Sequence, residues 1–380
     1  MAPCIGTIKV HPPEVFTLPF VLNLLGSNAR AQVVRQRLRV GHESPGEVLW
    51  QCIAADQAPI DVMQTCLFEA WDRVTKMPRT KRLSFLAAEE PIAVHALAHL
   101  WNNEELWVEA LSARRFDMSS KLCYFALAEK HDDLIVKWLT MERPESPHEW
   151  RGILLRSLIT GHHMHAHSSA DSALDCLFQI EDMQVEERRK AATLLKKGRE
   201  APAPAVMYTS LWPPIIEMSN TLANGKFPDT DAKLWDRFVD LYGTRGEMKL
   251  MDRDSLQYGR ARLQLCHPKF PDASLALEFL KNEFMTKHIS EARAHLPRPP
   301  RALQSMKTFF AQTVDVCEKT NRLHDADRIR EYSVELFETS YHDVAKKWKL
   351  EVQKTAQAWQ RWSKPASYKL LSFGNKQLKS

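Results

Sequence analysis

Glycine is scarce in this chain, at 12 of 380 residues, roughly half the ~7% usual in soluble proteins. No glycine-rich phosphate loop, Rossmann fingerprint or Gly-x-Ser-x-Gly elbow is present. Nucleotide cradling and nucleophile elbows both depend on backbone conformations that glycine supplies, so the shortage points away from an enzyme and implies no cofactor. Long apolar runs are missing too. The stretch from Val15 to Leu25 is interrupted by Thr17, Pro19 and Asn23 and falls short of the ~20 residues a membrane-spanning helix needs, so a soluble or peripheral protein is expected. The seven cysteines form no Cys-x-x-Cys pair, and nothing resembles a secretory signal peptide. Reduced core thiols are therefore expected, not a disulfide framework. Neighbouring carboxylates such as Glu89 and Glu90, or Glu186 and Glu187, point in different directions on a helix and read as solvated faces.

In place of glycine, punctuation falls on Pro, Ser, Asn and Asp. Between those marks, apolar residues recur at three- and four-residue spacing, the pattern of amphipathic helices. Ser44-Pro45-Gly46-Glu47 is a capping box with Pro at the first helical position, and Ser146-Pro147-His148-Glu149 repeats it. Asp272, and Asp229 or Thr230, mark further helix starts. These signals predict helices over 45–55, 60–76, 80–100, 103–114, 119–130 and 133–141. A second set covers 148–161, 169–182, 185–198, 206–224, 230–242 and 252–266, and a last group 272–287, 300–320, 323–338 and 341–362. The short connections imply antiparallel hairpins. An all-α fold follows.

The densest group of metal-ligating types is His162, His163, His165 and His167. Zinc sites draw ligands from separate elements, often with Cys or a carboxylate, so this run reads as an inter-helix loop. His95 and His99 share a helix face, but the first lacks the adjacent Glu of a metalloprotease. One packed and one exposed histidine is the expectation, and no metal site is assigned.

Charge is uneven. The net charge is +5, yet residues 1–42 hold Lys9, Arg30, Arg35, Arg37 and Arg39 against Glu14 alone. In Ser27 to Val40, Ala31, Val34 and Leu38 share a face opposite Arg30 and Arg37. Low acidity and arginines suit a mitochondrial targeting segment; an ordinary first helix with a solvated arginine face is the alternative. From Val352 onward there are cations and no acid. There Trp359 and Trp362 sit beside Arg361 and Lys364, followed by Lys369, a mixture suited to pairing with phosphates and stacking on bases. Arg298, Arg301 and Lys307 form a second basic stretch with no acid between Glu291 and Asp315. The organisation expected is a basic leader (1–42), a helical block (43–198), a Pro/Ala linker or loop (199–205), a second block (206–362) and a basic tail (363–380).

Two segments carry a helix-turn-helix pattern that resembles pentatricopeptide repeats, which share the shape of the tetratricopeptide class. One runs through Trp150, Leu154, Leu155, Leu158, Ile159, Ala173, Leu174, Phe178 and Met183. The other runs through Phe310, Val314, Cys317, Lys319, Leu323, Asp325, Ala326 and Ile329. The resemblance implies an α-solenoid of antiparallel hairpins, with irregular repeats and a concave binding face. It further implies RNA as the partner, with one base read per repeat by the residue after the opening aromatic. Here that position holds Arg151 and Ala311, where small polar readers are usual. The function expected is a degenerate RNA-associated scaffold in mitochondrial gene expression, in the matrix, binding mainly phosphates. The alternative is a cytoplasmic tetratricopeptide-like scaffold for protein partners without nucleic acid.

Overall fold

A computed structural model of the protein describes residues 26–40, 43–141, 149–166, 168–197, 205–223, 227–244, 253–281 and 301–337. Among these residues every regular element is helical, with sixteen α-helices, two short 3-10 turns and no strand. No helix among them is long and apolar enough to cross a membrane.

Helix α1 (Ser27–Val40) buries Ala31, Val34 and Leu38, the face its spacing predicts. It packs mainly on α3 (Ile60–Lys76), and α2 (Pro45–Ala54) touches both. Ser44 caps α2 by accepting from the Glu47 amide at 3.1 Å. The basic leader drawn to residue 42 therefore overlaps the packed body, because the apolar stripe of α1 is part of the main core.

The helix predicted over 80–100 is two helices, α4 (Arg79–Ala88) and α5 (Ile92–Asn102). Pro91 interrupts the pattern and cannot cap the amides that follow it. Glu129 does so from another element. Its carboxylate accepts from the amides of Ile92 and Ala93 at 2.9 Å and from Val94 at 3.1 Å. Gly46, at the start of α2, is pressed against this junction, and a Cβ there would lie 2.2 Å from the Glu90 carbonyl oxygen. Beyond it come α6 (Glu104–Ala110), a 3-10 turn at Ala113–Arg115, α7 (Phe116–Ala128) and α8 (Asp132–Thr140).

Helix α9 (Glu149–His165) lies against α7, its most extensive partner. The helices predicted over 169–182 and 185–198 are one, α10 (Asp171–Lys196), since no breaking residue separates them. Then follow a 3-10 turn (Ala205–Tyr208), α11 (Trp212–Leu222), α12 (Ala232–Thr244), α13 (Arg253–Leu265) and α14 (Ser274–Leu280). The last two described helices are α15 (Arg301–Lys319) and α16 (Leu323–Phe337). Asp272 opens α14 by accepting from the Ser274 amide at 3.0 Å.

Helices two apart in sequence repeatedly touch: α1 with α3, α7 with α9, α9 with α11, and α10 with α12. The architecture is repeat-like. Its core does not divide at 199–205, because α9 packs on α11 and one apolar cluster runs from Ala31 to Leu263. A second cluster, from Ala261 to Ile329, is built by α13 to α16.

The Glu129 junction yields a stability test. Glu129→Gln keeps the volume but turns one acceptor into an N–H donor facing backbone N–H groups. Urea unfolding is expected to show a loss of about 2 kcal/mol.

Candidate nucleic-acid interface

The α15–α16 hairpin, the last one described, follows the apolar spacing read from the sequence. Phe310, Val314 and Cys317 point inward from α15, and Ala326 and Ile329 from α16. Asn321 makes the turn at φ 60°. The Arg322 amide reaches back to the Cys317 carbonyl at 2.7 Å and the Asn321 amide to Glu318 at 3.1 Å, a left-handed C-terminal cap. Ala326 is fully buried, and its small side chain lets α16 approach α15.

Three cations on this hairpin are neutralised. Lys319 pairs with Asp315 at 2.7 Å, Arg322 with Asp325 at 3.0 Å, and Arg330 with Glu318 and Asp327. Arg328 is more available, with half its side chain exposed and its nearest carboxylate oxygen, on Asp325, 3.9 Å away. It sits on the rim of a groove of about 250 Å³ between α14 and α16. The floor and walls are Leu277, Leu280, Ile329 and Tyr332, and Lys281 is the second cation. An aromatic ring, an aliphatic floor and two cations can take a flat, anionic ligand unit. The groove lies below the ~300 Å³ typical of sites for drug-sized ligands. Lys281, Arg328 and Tyr332 were not singled out from the sequence, because their convergence depends on α14 meeting α16.

The residues expected to contact nucleic acid are placed unequally. Arg298, Trp359, Arg361, Trp362, Lys364 and Lys369 lie outside the described residues. Arg301 opens α15, and Lys307 is half-buried two turns further on. Arg151 requires correction: it is 1% exposed and cannot face a ligand in solvent. Its guanidinium donates to the carbonyls of Trp138, Leu139 and Met141 at 3.1, 2.6 and 2.6 Å, capping the C-terminal end of α8 where the helix dipole favours a cation. It also lies 4.5 Å from the centre of the Trp150 ring. Ala311, at the equivalent position of the second segment, is also 1% exposed. Neither residue can read a base.

The histidine cluster is likewise not a loop. His162, His163 and His165 belong to α9, while His167 lies outside the described residues. His163 is buried with its Nε2 3.2 Å from Met218 Sδ, and His165 stacks on Tyr124 with Nε2 2.8 Å from that residue's carbonyl. Burial pushes His162 down to about 4 and His163 down to about 3. His95 and His99 are both half-buried and serve different partners, Glu90 at 3.0 Å and the Ala58 carbonyl at 3.0 Å. Among the described residues, no three His, Cys, Asp or Glu side chains converge as metal ligands would. Five of the described cysteines are buried, and burial raises the Cys176 thiol to about 12.

Two measurements follow. Arg151→Met is expected to cost about 3 kcal/mol, since three carbonyls lose a charged donor; any nucleic-acid affinity, measured below the unfolding range, should be unchanged. For His163, the unfolded state binds a proton below about 6.5 that the folded state refuses until about 3. Stability should therefore fall as pH drops through that window. In His163→Gln, denaturant midpoints taken across it should show a slope shallower by up to one proton.

No protein-family model, curated protein or solved structure matches this chain.

Proposed function

We propose that this chain is a degenerate helical-repeat protein, an α-solenoid of antiparallel hairpins, that binds RNA mainly through phosphates in mitochondrial gene expression. It would act in the matrix, as a transcript-binding factor or as a component associated with the mitochondrial ribosome. The α14–α16 groove carries this reading, because Tyr332 lines it together with the cations Lys281 and Arg328. Cations pairing with phosphate next to an aromatic face are the working parts of single-strand binding. Three features support it. Alternate helices touch along the chain, as stacked hairpins would. Arg298, Arg301 and Lys307 add a stretch without acids before and within α15. Beyond Val352, Trp359, Arg361, Trp362, Lys364 and Lys369 repeat the pairing of aromatics with cations.

A protein-binding scaffold is the second reading, favoured by Phe270, which is 70% exposed, and Leu323, which is 56% exposed. Salt response separates the two. Anisotropy titrations of the full chain with a labelled single-stranded RNA should show affinity falling steeply between about 50 and 200 mM salt. Replacing the groove cations (Lys281→Gln with Arg328→Gln) should lower the slope of log affinity against log salt by about 1.4, at ~0.7 per lost phosphate contact. Absence of binding at the lower salt would sink the RNA reading.

A further inference from the structure

On several of the described helices an exposed cation is balanced by a carboxylate one turn away. Lys76 pairs with Asp72 on α3, Lys137 with Asp133 on α8, Arg189 with Glu186 and Lys190 with Glu187 on α10, and Lys319 with Asp315 on α15. Helix α1, like α4, carries cations without an acid of its own. It holds four arginines, no lysine and no acid. Its outward face is Asn28, Gln32, Arg35, Gln36 and Arg39, all exposed. Arg37, on the flank, is paired with Glu43 and donates to Gln51, whereas Arg35 and Arg39 form no ion pair with any described residue.

A helix face meant only for solvent has no need to exclude carboxylates or to prefer arginine over lysine. The guanidinium fork fits phosphate oxygens bidentately, and Asn and Gln side chains donate to phosphate and sugar oxygens. Arg35 and Arg39 lie one turn apart, about 6 Å along the axis, close enough for neighbouring phosphates of one strand. The platform is held rigidly. Ser27 Oγ donates to Asp61 at 2.6 Å at one end, and Arg73 donates to the Leu38 carbonyl at 3.0 Å at the other. The apolar side of the helix is locked into the main core, so little backbone ordering is left to pay on binding.

We infer that the Asn28–Gln32–Arg35–Gln36–Arg39 face of α1 is a second phosphate-binding surface for RNA, remote in sequence from the α14–α16 groove. This rests on the RNA-binding reading above and adds a site to it.

The test is Arg35→Gln with Arg39→Gln in the full chain, with Lys196→Gln plus Lys197→Gln as a control of equal charge change on exposed positions of the α10 end. Both pairs leave the core untouched, and matching circular dichroism and thermal midpoints establish folding. The α1 variant is expected to weaken binding to a labelled single-stranded RNA about tenfold near 0.1 M salt. It should also lower the salt slope by about 1.4, while the control binds as the parent does. Parent-like binding by the α1 variant overturns this site and leaves the groove standing. An equal loss in the control overturns it as a general charge effect. No binding by the parent chain removes the RNA reading itself, and this site with it.

Discussion

The crossing of α7 over α9 sets the geometry of the larger core. Both helices present small residues at the contact, Ser119 and Cys123 on one and Ser157 and Gly161 on the other. The Ser119 and Ser157 hydroxyls lie 2.7 Å apart. A Cβ at Gly161 would sit 3.1 Å from backbone atoms of Cys123 and Tyr124, so the helices are close enough that any side chain there would push the neighbouring backbone back by a few tenths of an ångström. That closeness lets His165 stack on Tyr124 at 4.0 Å. It also turns the opposite side of α9 toward α11, where Gly152 faces the Ser210 carbonyl and Arg156 pairs with Glu217 at 2.8 Å. Because α9 is gripped from both sides, the apolar cluster continues past the Pro/Ala stretch instead of stopping there.

The interior is stitched by polar side chains that serve the backbone. Glu129 holds the first amides of α5, Arg151 the last carbonyls of α8, and Arg73 the Leu38 carbonyl at the end of α1. Gln184 donates to the carbonyls of Val206 and Thr209 at 2.9 and 2.7 Å, tying α10 to the 3-10 turn that follows it. Each is a long side chain from one helix satisfying groups that another helix end leaves open. Such a group costs far more when orphaned than it contributes when paired. Burial of Glu129 raises its carboxyl even as three amides pull the other way. Polar residues of this kind hold helices in register, and they resemble binding residues only while their partners are unseen.

What was legible in the sequence divides along that line. The α1 helix and its inward Ala31, Val34 and Leu38 were readable because periodicity and composition are local. The α15–α16 hairpin was readable for the same reason, with its apolar spacing and the small Ala326 at the crossing. The junction at Pro91 was not, since the carboxylate that permits it comes from Glu129 on another helix. Arg151 looked like a surface cation because the carbonyls that draw it inward belong to the preceding helix. The histidines of α9 looked like a loop because four polar residues within six positions imitate one. The burial of His163 follows from the fit of α9 against α11. The groove cations could not be paired by reading, as Lys281, just past α14, and Arg328, on α16, are more than forty residues apart.

Inward placement of Arg151 and Ala311 constrains how nucleic acid can be recognised under the proposed reading. One side chain per repeat aimed at a base edge requires that position to face the ligand, and here both are packed at 1% exposure. Discrimination between bases would then have to come from other positions. Phosphate contacts fix the register and path of a strand but carry no sequence information of their own. A protein relying on them would follow the shape of a folded RNA, or depend on a partner for its choice of sequence. Guanidinium groups on a rigid helix suit that task, because shape recognition needs fixed spacing between cations more than it needs a code. Exposed helical cations neutralised one turn away, as on α3, α8, α10 and α15, attract a polyanion weakly. Under this reading a phosphate chain would settle where uncompensated arginines share one face of a rigid helix, as Arg35 and Arg39 do on α1.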